Sequence, residues 1–260
     1  MTRWLQSPAG RYLLDWEQRH LDTAVADLFG FHALQVGLPE LDALRANRMP
    51  HRWVADHAAA EPFDPQALPR AATALRVDYD ALPFDSASLD LVVLPHTLEL
   101  AHDPHQTLRE VERVLVPEGR VVIVGFNPAS LWGLRQRAGR IRRGVGLGRQ
   151  RALYLPDAGE FLAYRRLRDW LRLLSFEVEA GRFGCYRPPV VSDRWLQRTA
   201  WMDHSGERWW PVFGAAYFVT AVKRVRGMRL VGLAREPARR TAAAPVIAAR
   251  RQRRREEEPA

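Results

Sequence analysis

The sequence is short of cysteine and of long apolar runs, and each shortage narrows the class of protein. Cys185 is the single cysteine among 260 residues, so the chain has no internal disulfide, which fits a reducing cytoplasm. No apolar run approaches the length that spans a membrane, and the opening segment MTRWLQSPAG lacks the apolar core of a signal peptide. The sequence therefore predicts a cytoplasmic protein without a membrane span.

Charge is distributed unevenly along the chain. The formal net charge is +9, yet Arg135–Arg151 alone contains seven arginines and no acid, and Lys223–Ala260 carries twelve basic and four acidic residues. The rest of the chain has a net charge of −6. No recognised nucleic-acid-binding motif accompanies the two basic segments, so they predict only weak, nonspecific attraction to polyanions.

Length and composition predict one large α/β domain followed by a tail. The chain is 47% hydrophobic and 27% charged, an ordinary globular mixture that is long enough to bury a core. Near its end, Ala, Pro, Arg and Glu dominate without apolar periodicity, which predicts disorder. We expect a domain over residues 1–228 and a basic, disordered tail over residues 229–260.

The clearest local pattern is a strand, a helix and a second strand. Leu89–Leu94 is a short apolar run, typical of a strand that is buried on both faces. Residues 103–115 then place apolar side chains at helical spacing, and Arg120–Phe126 is a second apolar run. This order predicts a parallel pair of strands with a right-handed crossover.

The remaining elements extend that unit into a complete sheet. Further strands are predicted over residues 33–37, 52–55, 74–77, 176–181 and 215–225, and helices over residues 1–32 and 157–175. The pattern predicts a three-layer, Rossmann-like α/β fold with a seven-stranded, mostly parallel sheet and an antiparallel last strand. Residues 131–152, rich in Gly and Arg, are expected to form a flexible loop.

Residues 182–214 form an insertion rich in tryptophan and proline. Its four tryptophans are Trp195, Trp201, Trp209 and Trp210. They fit a lid over a substrate or a small satellite core, and we favour the satellite core.

Four sequence blocks carry a resemblance to a known family. They are Asp78–Phe84 (DYDALPF), Leu89–Val92 (LDLV), His96–Glu99 (HTLE) and Leu108–Ile123 (LREVERVLVPEGRVVI). In this order and spacing they resemble the class I S-adenosylmethionine-dependent methyltransferases of the type 11-like branch. The resemblance implies S-adenosylmethionine as cofactor and methyl transfer to an acceptor that the sequence does not identify.

One family hallmark is largely missing. The first strand of the family ends in G-x-G-x-G, whereas this chain reads ALQVGLPE and keeps only Gly37. Leu38 adds bulk where glycine permits close approach, and Pro39 has no N–H to donate. The segment Gly125–Arg135 (GFNPASLWGLR) resembles an uncharacterised proteobacterial branch with this degenerate turn. Two alternatives therefore stay open: a non-catalytic interaction module with the methyltransferase fold, and a nucleic-acid-associated protein that acts through its basic loop and tail.

The resemblance also implies a cofactor site at the carboxyl ends of the strands. Its candidate residues are Gly37, Asp56, Asp78, Tyr79, Pro95 and His96. Asp78 would accept from the adenine amino group, or else cap the next turn. Asp56 would accept from the ribose hydroxyls, or else begin a turn. Tyr79 would stack on adenine, or else be a half-buried surface residue.

His96 is expected near the cofactor without a role in proton transfer, the alternative being that it caps or packs beside the following helix. No catalytic residue is assigned, because methyl transfer from a sulfonium needs little covalent help from the protein.

Five further polar residues are candidates: Glu99, Glu110, Asn127, His102 and His105. Glu99 and Glu110 are expected to be solvated or salt-bridged helix residues. Asn127, before Pro128, is expected to contact the acceptor or to form a turn. The histidines on either side of Asp103 do not supply enough ligands for a metal site, so no metal is expected.

Overall fold

A seven-stranded sheet forms the centre of the molecule in this computed structural model, which describes residues 1–58, 71, 73–144, 153–156 and 161–225. The strands are β1 (His32–Val36), β2 (His51–His57), β3 (Leu75–Val77), β4 (Leu89–Pro95), β5 (Leu115–Phe126), β6 (Phe176–Gly184) and β7 (Ala216–Lys223). Their order across the sheet is β3-β2-β1-β4-β5-β7-β6. The first five strands are parallel, and β7 is antiparallel to both β5 and β6. The predicted fold class is confirmed.

Helices cover both faces of the sheet. They are α1 (Thr2–Leu5), α2 (Pro8–Ala26), α3 (Thr97–Leu100), α4 (Pro104–Val114), α5 (Leu131–Gly144), α6 (Tyr164–Leu173), α7 (Asp193–Arg198) and α8 (Trp201–Trp209), with a 3-10 turn at Pro211–Phe213. Side chains of α2 and α5 share one apolar core with the sheet, and side chains of α4 and α6 share a second core. The sheet is therefore the middle layer of three.

The long amino-terminal helix α2 begins at a strong start signal. The Ser7 side chain caps it by accepting from the Gly10 backbone N–H at 3.1 Å, and Pro8 occupies the first turn. Leu13, Leu21 and Val25 recur on one face and are wholly buried. This stripe packs α2 against the sheet, next to the strand ends described below.

The last strand closes the sheet by entering between β5 and β6. Its terminal residue, Lys223, is buried and donates from Nζ to the Leu115 carbonyl at 2.9 Å. The same ammonium lies 3.0 Å from the Glu112 carboxylate. These contacts fasten the end of β7 to the junction of α4 and β5.

The prediction of a flexible loop over residues 131–152 is wrong for its first part, because Leu131–Gly144 forms helix α5. Ser130 accepts from the Gly133 N–H at 3.1 Å and so starts the helix. Trp132 and Gln136 are buried on its inner side, and its five arginines are good helix formers. The buried side is built from Trp132, Gly133 and Gln136 instead of a leucine stripe, which is why the helix was missed.

The prediction of a satellite core in the insertion is also wrong. Trp195, Trp201, Trp209 and Trp210 are 54%, 62%, 70% and 52% exposed. Of α7 and α8, only Leu196 and Gly206 are buried, and the four tryptophans of the insertion face outward.

Three predictions fall on parts of the chain outside the described residues. They concern the domain boundary at 228, the tail over 229–260 and the part of the basic segment that follows α5. Most of the connection between β2 and β3 lies outside them as well. Within the described ranges, no helix combines the length and apolarity that crossing a bilayer requires.

Candidate functional site

The order of the strands changes direction at the centre of the sheet, between β1 and β4. After β1 the chain moves to β2 on one side, and after β4 it moves to β5 on the other. Ligands of open α/β sheets bind where the connections diverge in this way, outside the carboxyl ends of the two strands. Here those ends are Gly37 after β1 and Pro95 with His96 at the end of β4.

Gly37 occupies a position that excludes a side chain. Its φ is +83°, and a Cβ there would lie 3.0 Å from the Tyr79 hydroxyl and 3.2 Å from the Thr97 hydroxyl. The Thr97 hydroxyl also donates to the Val36 carbonyl, which links the end of β1 to α3. The surviving glycine of the degenerate turn is thus required by both backbone conformation and space.

A buried amide organises the segment that follows β1. The Gln35 side chain is fully buried, and its Oε1 accepts from the Ala43 N–H at 2.9 Å. Its Nε2 donates to the carbonyls of Gly37, Leu38 and Leu41 at 3.1, 3.1 and 2.7 Å. One side chain therefore holds a loop where no helix follows β1. A glutamine inside the apolar run HALQV was the sequence signal for this residue.

Two of the predicted carboxylates differ in environment. Asp56 lies within β2, which extends two residues past the predicted end, and it is 6% exposed. Its Oδ1 accepts from the His57 N–H at 2.8 Å. Asp78 is exposed beyond β3 and accepts from the Asp80 N–H at 3.1 Å, which is the turn-capping arrangement.

Tyr79 is buried rather than half-exposed. It is 2% exposed, and its ring meets the His57 ring edge-on at 5.0 Å. Burial, with a smaller effect of Asp56, raises the pKa of Tyr79 above its ordinary value, so the hydroxyl stays neutral. Tyr79 thus extends from the end of β3 to Gly37 at the end of β1.

His96 lies between two carboxylates in the interior. Its Nε2 is 2.6 Å from Glu17 Oε1 on α2, and its Nδ1 is 2.8 Å from Glu99 Oε2 on α3. All three side chains are almost completely buried. Ionised carboxylates only accept, so with both carboxylates charged, both ring nitrogens donate and the ring is an imidazolium. Glu99 is thus salt-bridged and buried rather than solvated, and its second oxygen accepts from the Phe126 N–H.

The electrostatics of this cluster keep the histidine charged. Burial alone would lower the pKa of His96, but the charges of Glu17 and Glu99 and their hydrogen bonds outweigh it and raise the pKa to about 10. A proton held so firmly is poorly suited to acid–base exchange near neutral pH. The second oxygen of Glu17, Oε2, is buried and has no hydrogen-bond partner among the described residues.

A second cluster of polar side chains, Tyr12, Arg187 and Asp203, joins α2 to the insertion. The Tyr12 hydroxyl donates to Asp203 of α8, and the Arg187 guanidinium lies over the Tyr12 ring at 4.2 Å. Arg187 also pairs with Asp203 at 2.9 Å. Sequence reasoning missed this group, because its members are far apart in the chain and none stands out from its neighbours.

Cys185 follows β6 at the same edge of the sheet and is buried. Burial, together with the negative charges of Glu17 and Asp203, raises the pKa of its thiol. The cysteine is therefore held in the thiol form, which is a poor nucleophile.

Other candidates have structural partners. The Asn127 amide donates to the carbonyls of Val212 and Gly214 at 2.8 and 2.9 Å, and its oxygen accepts from Ala129, so it forms a turn. Glu110 is salt-bridged to Arg113 at 2.8 Å, and this contact lowers its pKa. Over the part of the chain that the structure describes, no group of three or more metal-binding side chains occurs.

Comparison with known proteins supports the assignment of the fold. Residues 54–123 match the family described as a methyltransferase domain. The chain is 34% identical over 182 residues to the uncharacterized protein YafS of Escherichia coli K12, a match that covers 69% of this chain and 67% of YafS.

Two solved structures share the fold at low sequence identity. One is a methyltransferase in complex with the Trm112 activator of Haloferax volcanii, with a TM-score of 0.54, 16% identity and coverage of 86% of this chain and 96% of that one. The other is an S-adenosylmethionine-dependent methyltransferase of Mesorhizobium loti, with a TM-score of 0.52, 17% identity and coverage of 80% and 99%.

The strand order and the shared fold thus define an α/β domain of the methyltransferase type. The chain belongs to the class I S-adenosylmethionine-dependent methyltransferase family.

Proposed function

We propose that this protein transfers the methyl group of S-adenosylmethionine to an acceptor, and that the cofactor binds in the crevice between the carboxyl ends of β1 and β4. The observation that carries the proposal is the strand order, which brings Gly37 and His96 to neighbouring strand ends at the divergence point. The bound cofactor supplies an electrophilic methyl group on a sulfonium. The protein orients the reactants and excludes water.

The side chains around the crevice fit the chemistry of this cofactor. S-adenosylmethionine presents ribose hydroxyls and an adenine amino group as hydrogen-bond donors, and the Asp56 and Asp78 carboxylates are acceptors on the adjacent strands. Tyr79 places its hydroxyl next to Gly37. Pro95 and His96 supply the backbone at the end of β4.

The buried charge cluster supplies one further acceptor. The unpaired Oε2 of Glu17 matches a cationic donor such as the ammonium group of the cofactor. His96 has both ring nitrogens occupied by carboxylates, so we assign it a positioning role and no proton transfer.

One observation favours a second candidate, a methyltransferase fold that has lost cofactor binding. Leu38 has a positive φ of 44° with its side chain buried, and the Pro39 carbonyl accepts from the Ala71 N–H at 2.7 Å. These contacts tie the degenerate turn into the protein, which supports the non-binding candidate.

Calorimetric titration of the full chain with S-adenosylmethionine and with S-adenosylhomocysteine distinguishes the two candidates. We expect binding of both ligands, and about tenfold or greater weakening by Asp56→Asn and by Asp78→Ala, because each removes a charged acceptor. The matched control is Asp85→Asn, an exposed carboxylate that precedes β4 at the opposite edge of the sheet. The absence of heat with the unmodified chain would favour the non-binding module. Equal weakening by Asp85→Asn would remove the assignment of these two carboxylates.

A further inference from the structure

The outward face of α5 carries an apolar stripe that no described residue covers. Leu131, Leu134 and Ile141 are 49%, 54% and 67% exposed, and Ala138 between them is exposed as well. Their spacing of three, seven and ten residues from the first puts all four on one side of the helix. The opposite side, with Trp132 and Gln136, is buried in the core. The helix is thus apolar on both sides, with one of them facing outward.

Arginines border this stripe. α5 contains five arginines and no acid. Arg142 lies on one border and Arg137 on the other, both are exposed, and neither has a hydrogen-bond or ion-pair partner among the described residues. An exposed apolar stripe flanked by arginines is the composition of helices that lie in the plane of a bilayer surface.

The tryptophan-rich insertion packs next to α5. From the buried side of the helix, Trp132 Nε1 donates to the Arg187 carbonyl at 2.7 Å, and the exposed Arg135 guanidinium donates to the Pro189 carbonyl. Shortly after Pro189 come Val191, 65% exposed, and Trp195, 54% exposed. Tryptophan is enriched where proteins meet the headgroup level of membranes.

We propose that the outward face of α5, together with Val191 and Trp195, docks on an anionic phospholipid surface. The arginines complement lipid phosphates, and transfer of the leucine and isoleucine side chains from water into the lipid is favourable. A nucleic acid backbone would satisfy the arginines but would leave the stripe exposed, so we favour lipid over RNA. The insertion joins the carboxyl end of β6 to β7, so docking would bring the crevice edge of the sheet toward the membrane. The surface uses no residue of the proposed cofactor site.

The test is sedimentation of the full chain with vesicles of phosphatidylcholine alone and of phosphatidylcholine mixed with phosphatidylglycerol. The test variant is Leu134→Ser/Ile141→Ser, and the matched control is Leu173→Ser, a leucine 77% exposed at the end of α6. All three chains keep the same basic tail, so any difference between them arises from α5. Circular dichroism and thermal unfolding verify that the variants fold, as expected for exposed positions.

We expect binding to the anionic vesicles, little binding to the neutral ones, and a loss of about tenfold or more in partitioning for the double variant, with no change for Leu173→Ser. Arg137→Gln/Arg142→Gln should weaken binding to anionic vesicles and reduce its dependence on salt. Equal binding of the double variant and the Leu173→Ser control would overturn the proposal. Tight binding of a single-stranded RNA oligonucleotide that survives Leu134→Ser/Ile141→Ser, without vesicle binding, would also overturn it and assign the helix to nucleic acid.

Discussion

The buried histidine predicts an unusual dependence of stability on pH. His96 has a pKa of about 10 in the folded protein, against an ordinary value of 6.5. Because the folded pKa is the higher one, the stabilisation is complete below pH 6.5 and is lost as the pH rises toward 10. In that interval the folded state holds one more proton than the unfolded state. The free energy of unfolding should then fall by roughly 1.4 kcal/mol per pH unit, or ~1.5–2 kcal/mol between about pH 6.5 and 8.

Glu17→Gln tests the cause of this dependence. Glutamine keeps an oxygen that can accept from His96 Nε2 but removes the charge, so burial is then opposed by Glu99 alone. The pKa of His96 should fall, and the slope of stability against pH should become shallower. Loss of one partner from a buried ion pair should also lower the free energy of unfolding by about 3–5 kcal/mol near the acidic end of this interval.

Urea unfolding followed by tryptophan fluorescence at several pH values measures both effects. Glu207→Gln, an exposed carboxylate on α8, is the control and should keep the slope, with a change in stability within about 0.5 kcal/mol. A wild-type protein whose stability is flat from about pH 6.5 to 8 would contradict the imidazolium assignment. An unaltered slope in Glu17→Gln would show that Glu17 does not raise the pKa of His96.

Two further predictions concern residues at the same edge of the sheet. Gly37→Ala should lower the free energy of unfolding by about 1–2 kcal/mol, because its φ of +83° strains an L-residue. The control is Gly144→Ala, where a Cβ would meet nothing within 4 Å, and it should change the stability in urea little. Equal effects of the two substitutions would contradict the reasoning. Cys185 should react with a thiol reagent such as dithionitrobenzoate only after unfolding, because it is buried and its pKa is raised. Rapid stoichiometric labelling of the native chain would show that it is accessible.

The centre of the sheet was predictable because β1, β4, the second half of β5 and β7 are buried on both faces. Leu89–Pro95 and the second half of β5 are almost continuous apolar runs, which only a covered parallel sheet accommodates. The second strand was predicted too short, since His51 and His57 at its ends are polar. The helix α5 was missed because its buried side is built from Trp132, Gly133 and Gln136 rather than from a leucine stripe.

Sequence motifs predicted Gly37 and Asp78 as cofactor-binding residues, whereas no motif pointed to Glu17. The signal for Glu17 existed, because it stands four residues from Leu13 and from Leu21 on the buried stripe of α2. Its partner His96 is 79 residues away, however, and the pairing of distant charges depends on tertiary packing that local patterns do not report.

The position of β7 between β5 and β6 has a consequence for synthesis of the protein. Strand β5 finds one of its two neighbours only when Ala216–Lys223 has left the ribosome, about a hundred residues later. Until then, the nascent chain presents an apolar strand edge with unpaired backbone groups, a known template for aggregation. A chain that stops before Ala216 would leave that edge permanently open. Completion of the sheet is therefore a late event. We expect the growing polypeptide to need a chaperone until β7 has paired and Lys223 can donate to the Leu115 carbonyl.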